Sequence, residues 1–206
     1  AMDKFTTLTA TACPLDLANV DTDQLIPARF MKRSRAEGYG GYLLHDLRFD
    51  ESGNKHGNFA LDQPRFAGAK VIVARGNFGT GSSREAAVYA LWDFGIRCVI
   101  APSFGDIFSS NATKNGLLTA VVAEAEAENL LKQLVAANTP WISVNLEQKL
   151  IAANDLHIAF DVDPVRRLQL LNGWDDIDFT FHRRAEIEAF RTRLEAAQPW
   201  AMLPKA

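Results

Sequence analysis

After residue 68 the chain alternates short apolar runs with amphipathic stretches. Residues 70–75 (KVIVAR), 97–101 (RCVIA) and 117–122 read as strands, the first of them buried. Between them, residues 83–94 and 104–115 read as helices. Gly95 closes the first, and Gly116 supplies the left-handed residue at the end of the second. Residues 124–137 form a third helical pattern, rich in alanine. Strand–helix–strand–helix–strand at this spacing predicts βαβ crossovers around a partly parallel sheet, an α/β fold.

The flanking regions are less regular. Residues 5–12 predict a strand, and residues 19–24 (NVDTDQ) are crowded with side chains that bond their own backbone, as in a turn. Residues 29–68 combine six glycines with many charges and aromatics, which suits a long irregular excursion. Such a segment is expected to act as a mobile flap that carries selectivity. Residues 141–146, 149–152 and 156–162 predict further strands, the last two joined across Ala153-Asn154-Asp155, and residues 186–197 a surface helix. With no internal repeat or low-complexity linker, the reading is one domain over 1–206 with a C-terminal extension from 140.

Composition narrows the function classes. The chain of 206 residues carries 22 basic and 25 acidic side chains, and this near-balance argues against a nucleic-acid partner. With 48% apolar residues it can bury a core without staples. Its two cysteines, Cys13 and Cys98, cannot make a disulfide framework or a tetrahedral thiolate site. His45, His56, His157 and His182 show no metal-ligand spacing, so no metal site is expected on this chain. No apolar run nears 18 residues and no signal-peptide core is evident, so a cytoplasmic protein with no membrane partner is expected.

The chemistry concentrates in three segments. The first is Arg75-Gly76-Asn77-Phe78-Gly79-Thr80-Gly81-Ser82-Ser83-Arg84-Glu85, between a predicted strand and helix. Ser82 followed by Glu85 has capping-box spacing, and the glycines let backbone amides converge on an anion at the helix start. Arg84 in a first helical turn opposes the helix dipole, a conflict that an anionic ligand would offset. The segment suits either a small-anion site or a capped helix with a solvated arginine. It is neither a dinucleotide fingerprint nor a P-loop.

The second segment, 102–118, begins at the same sheet edge if the strands are parallel, where α/β folds place ligands. Asn111 and Asn115 share a helical face, and Lys114 complements the dipole at the helix end. The third is the turn Asp21-Thr22-Asp23-Gln24 leading to Pro27, which taken alone is a self-bonded turn.

Together, residues 19–27 (NVDTDQLIP), 77–85 (NFGTGSSRE) and 104–118, in this order and spacing, with LLNGWD at 170–175, resemble the small subunit of 3-isopropylmalate dehydratase, a member of the aconitase superfamily. The resemblance covers nearly the whole chain. It implies a swivelling β/β/α domain that works as a heterodimer with a large subunit, which holds a [4Fe-4S] cluster. The pair would convert 2-isopropylmalate to 3-isopropylmalate through a dehydrated intermediate in leucine biosynthesis. In that pattern Ser82 acts as the base while Ser83 and Arg84 bind substrate carboxylate. Ser82 is expected at a helix start facing a cleft rimmed by Asp21, Thr22 and Asp23. Phe30, Met31 and Lys32 are the expected selectivity residues of the flap, with Arg33 and Arg35 in reserve. Apolar side chains there would suit a branched alkyl group, and a basic one an extra carboxylate.

The chain departs from the family pattern at Ala86, where histidine is usual, and at Thr80 and Thr119. These departures leave two alternatives. One is the small subunit of a paralogous hydro-lyase for another hydroxy diacid, citraconate-, methylmalate- or homoaconitate-like. The other is a scaffold subunit that kept the fold without the chemistry.

Overall fold

A computed structural model describes residues 2–198 and Trp200 of the chain. Its longest strand, β1 (Thr7–Leu15), pairs differently along its two halves. Residues from Ala12 onward run parallel to β2 (Val71–Ala74), while Thr7 to Thr11 run antiparallel to β5 (Trp141–Asn145). Beyond β2 lie β3 (Cys98–Ala101) and β4 (Leu118–Val121), both parallel, and beyond β5 the antiparallel β6 (Leu150–Ala153) and β7 (Leu156–Ala159). The seven-stranded order is β4-β3-β2-β1-β5-β6-β7. The expected α/β class and partly parallel sheet are present. Residues 141–159 belong to this same sheet, and the helical segment after them is tied to it: Leu170 is in the core, and Arg167 donates to the Leu146 and Glu147 carbonyls at 3.0 and 2.7 Å.

The core lies on both sheet faces, as period-2 alternation requires. Along β2, Ile72 and Ala74 join one buried cluster, while Val71 and Val73 join the other. The first cluster packs under α3 (Glu85–Phe94) and α4 (Asp106–Lys114), the second under α5 (Glu124–Ala136) and the antiparallel strands. Both helices of the first layer begin later than their sequence pattern predicts. Phe104 is taken into an aromatic cluster with Phe78 and Phe108, and its backbone bridges to Phe78, so α4 starts at Asp106. Gly79 and Gly105 permit that closeness: a Cβ on Gly79 would sit 2.2 Å from the Phe108 ring, and one on Gly105 2.5 Å from the Gly79 carbonyl.

The excursion 29–68 carries short helical turns, among them α2 (His45–Arg48), and no strand. Most of it is anchored. Tyr39, Leu43, Leu44, Leu61 and Phe66 are core residues, and the buried Arg48 grips Asp62 with two guanidinium nitrogens at 2.8 and 2.9 Å. Two stretches there are exposed, residues 28–38, apart from the half-buried Phe30, and residues 50–58. At the other end, α6 (Pro164–Asn172), α7 (Asp176–His182) and α8 (Arg184–Ala197) come after the sheet. The sequence pattern shows only the last of these. Lys114 joins α4 to α7 through Asp176 at 3.0 Å, and this tertiary ion pair accounts for a cation at that helix end.

Candidate active site

The loops after β2 and β3 leave the same carboxyl edge of the parallel half-sheet, and the turn after β1 folds against them. That turn is a single helical turn, α1 (Thr22–Leu25), capped by Asp21, whose carboxylate accepts from the Gln24 amide at 2.7 Å. The Gln24 side chain returns to the Asp21 amide at 3.0 Å, completing a capping box. Asp21 is thereby committed to its own turn.

Residues 19–23 are laced to residues 76–84 along their length. The Asn19 amide donates to the Gly76 carbonyl at 3.0 Å, Gly79 to Val20 at 2.7 Å and Thr22 to Thr80 at 3.0 Å. Asn77 donates to the Asn19 side chain at 2.9 Å. The Thr22 hydroxyl donates to the Ser82 carbonyl at 2.9 Å, and Asp23 pairs with Arg84.

This lacing displaces the predicted capping box at α3. The helix begins at Glu85, its N-cap is Arg84, and no side chain caps it. Ser82 lies three residues ahead, held through its carbonyl by Thr22, while the Glu85 carboxylate accepts from Asn115 at 3.0 Å. Tertiary partners have outcompeted the local cap. The cation opposing the helix dipole is offset by the Asp23 carboxylate.

Thr22, Ser82 and Arg84 line one cavity of about 310 Å³ with Asp106 and Ile107 at the start of α4. Ser82 is exposed, and no group among the described residues hydrogen-bonds its hydroxyl. The Arg84 side chain is only 19% exposed, so its charge is held at the wall and does not trail in solvent. Ser83 is exposed and lies off that lining. A larger cavity, about 580 Å³, lies across the loop beside Asn19, Asn77 and Ser103, but its cation Arg75 is tied to both Asp16 and Glu128.

The three flap residues are not brought to Ser82. Phe30 stacks on Tyr42 at 4.3 Å and lines a separate cavity of about 430 Å³, while Met31 and Lys32 are exposed at the surface. Arg29, Arg33 and Arg35 each have an acidic partner, Asp46, Glu37 and Asp93, and Arg35 also lies 4.0 Å over the Tyr89 ring. Among the described residues, Lys32 is the one cation of 29–35 without an ion pair.

Three comparisons place the chain among known proteins. A family model described as the aconitase C-terminal domain matches residues 2–125. The 3-isopropylmalate dehydratase small subunit of Rhodospirillum centenum is 46% identical over 202 residues, spanning 98% of this chain and 100% of that protein. That of Parvibaculum lavamentivorans is 45% identical over 97% of this chain and all of its own length. The chain belongs to the 3-isopropylmalate dehydratase small-subunit family. The crystal structure of 3-isopropylmalate dehydratase (leuD) from Methanocaldococcus jannaschii shares the fold with a TM-score of 0.63 at 25% identity, covering 90% of this chain and 99% of that one.

The three positions expected to depart from the family pattern take definite places. Ala86 is half-buried against the first core cluster, Thr80 lines the Ser82 cavity and bridges to Asp21, and Thr119 is buried in β4. Asp106 and Ile107 also line the cavity; they belong to the resembling segment 104–118 but take no site role from the sequence. Their signal was the start of a helix at the same sheet edge as the glycine loop.

The residues of this chain do not fit an iron–sulfur cluster, which thiolates must hold. Cys13 and Cys98 are fully buried on different strands, and burial pushes the Cys13 thiol up to about 12 and raises that of Cys98 as well. Among the described residues no group of three or more His, Cys, Asp or Glu side chains could hold a metal ion.

Proposed function

We propose that the chain is the small subunit of a heteromeric hydro-lyase that interconverts 2-isopropylmalate and 3-isopropylmalate by dehydration and rehydration, a step of leucine biosynthesis. The observation that carries this reading is the convergence of Ser82 and Arg84 of the S-S-R triplet with Thr22 of the D-T-D-Q turn on one cavity, in a chain that matches named small subunits end to end. Dehydration removes a proton from one carbon and a hydroxyl from its neighbour. Ser82 is the base for that proton. A serine alkoxide needs nearby positive potential, and the Arg84 guanidinium beside a helix start supplies it. Arg84, with Ser83, binds a substrate carboxylate through its planar fork. Asp23 holds the guanidinium ready for that contact, and Asp21 and Thr22 shape the rim. Phe30, Met31 and Lys32 form the selectivity patch on the exposed stretch 28–38, reaching the substrate only when this stretch closes over it. The [4Fe-4S] cluster resides on the large subunit, which also supplies the opposite wall, so this chain is half an active site. It works in the cytoplasm, with a hydroxy diacid as substrate.

The test is reconstitution. The purified chain alone should be inactive, and mixing it with a cluster-loaded large subunit should give turnover, greatest with isopropylmalate among a panel of hydroxy diacids. Full turnover by the chain alone without iron, or a clear preference for another diacid, would overturn the assignment.

A further inference from the structure

We propose that Thr22 is a positioning residue whose hydroxyl fixes the backbone that carries Ser82; this rests on Ser82 being the base. The residue before Ser82 is Gly81, with φ +93°, and a glycine leaves the adjoining peptide planes freer to turn than any other residue would. Thr22 grips the chain on both sides of that glycine. Its amide donates to the Thr80 carbonyl at 3.0 Å, and its hydroxyl donates to the Ser82 carbonyl at 2.9 Å. An ideal Cβ on Gly81 would lie 3.6 Å from the Thr22 hydroxyl, so the threonine sits directly against the glycine. Thr22 itself is 2% exposed and cannot drift.

The consequence is directional. No peptide bond among the described residues is cis, and in a trans peptide the C=O and N–H point to opposite sides. Turning the Ser82 carbonyl onto Thr22 therefore turns the Ser83 amide away from it. That amide bonds no group among the described residues and remains free to donate to an anion. One hydroxyl thus sets the direction of the Ser82–Ser83 peptide, and with it the Cα from which the Ser82 hydroxyl projects. Near-attack geometry depends on such orientation, since displacement of a reacting group by about 1 Å can cost on the order of 10²-fold in rate.

The test compares Thr22→Val, which keeps the shape and deletes the donor, with Thr22→Ser, which keeps the donor. Each is assembled with the same cluster-loaded large subunit, beside wild type and Ser82→Ala. Thr22→Val should lower kcat by up to about 10²-fold with KM little changed, and Thr22→Ser should recover most of the loss. Circular dichroism and assembly with the large subunit check that each variant is folded. Should Thr22→Val fail to fold, Thr22→Ser against Thr22→Ala gives the same contrast of hydroxyl present and absent. A wild-type kcat in Thr22→Val refutes the role. A raised KM alone would make Thr22 a substrate ligand instead, and equal impairment of the Val and Ser variants would place the effect in methyl packing. Undiminished turnover in Ser82→Ala refutes the base assignment and this role with it. Loss in Ser82→Ala without loss in Thr22→Val refutes the positioning alone.

Discussion

The hydroxyl of Ser82 bonds no backbone group among the described residues, so its removal leaves the hydrogen bonding of the loop as it was. Ser82→Ala should therefore lose about 10²–10⁴ in turnover, the usual worth of a general base, while the thermal midpoint stays at the wild-type value. A drop in the midpoint would show that the side chain supports the fold after all. Arg84 is different, because it is tied to Asp23 and only one-fifth exposed. Arg84→Ala should raise KM and lower kcat together, and Arg84→Lys should restore only part, since an ammonium lacks the planar fork. Steady-state kinetics on the reconstituted enzyme separates the two patterns. At this scale the sequence marked Ser82, Arg84 and the D-T-D-Q turn correctly as neighbours through their resemblance to a family. It misjudged the cap, because capping-box spacing describes what a serine does when nothing outside its helix competes for the loop.

The excursion from 29 to 68 shows how an irregular element is held without strands. Its central clamp is Arg48 with Asp62, whose side chains are 6% and 3% exposed, reinforced by Lys55 on the same carboxylate at 2.8 Å. Removing the acid leaves a buried guanidinium unpaired, so Asp62→Asn should cost about 3–5 kcal/mol by urea unfolding at neutral pH. Hydrogen bonding from Arg48, then Lys55, holds the Asp62 carboxyl below its ordinary value. The native carboxylate thus adds stability that is fully present above the unfolded pKa of about 4 and is lost as pH falls through the lowered folded value. The gap between wild type and Asp62→Asn should accordingly narrow in acid, and a gap independent of pH would show that the pair contributes little. The composition of this element revealed that it was irregular. It did not reveal which of its aromatic and apolar residues reach the core, because without periodicity a sequence gives no face to assign.

Across the whole molecule the buried thiols report on global packing. Cys13 and Cys98 are fully buried with raised pKa values, so a disulfide reagent at neutral pH should label neither until the chain unfolds, and then both. Labelling of either in the native state, measured by mass spectrometry, would mean that the sheet opens locally. The same scale separates what is local from what is not. By itself the sequence determined the alternation of buried strands and amphipathic helices from β2 to α5, the glycine stops, and the order of the three chemical segments, since periodicity and turn residues act over a few positions. Only the tertiary structure decided that β1 serves two sheet halves, that residues 141–159 finish the same sheet, and that the turn at Asp21 lies along the glycine loop. It also decided the late start of α3, the capture of Arg84 by Asp23, and the separation of Phe30 from Ser82. Each of these depends on partners distant in sequence, such as Thr22 and Ser82, 60 positions apart. Their hydrogen bonds outweigh local preferences only once the core has brought them together.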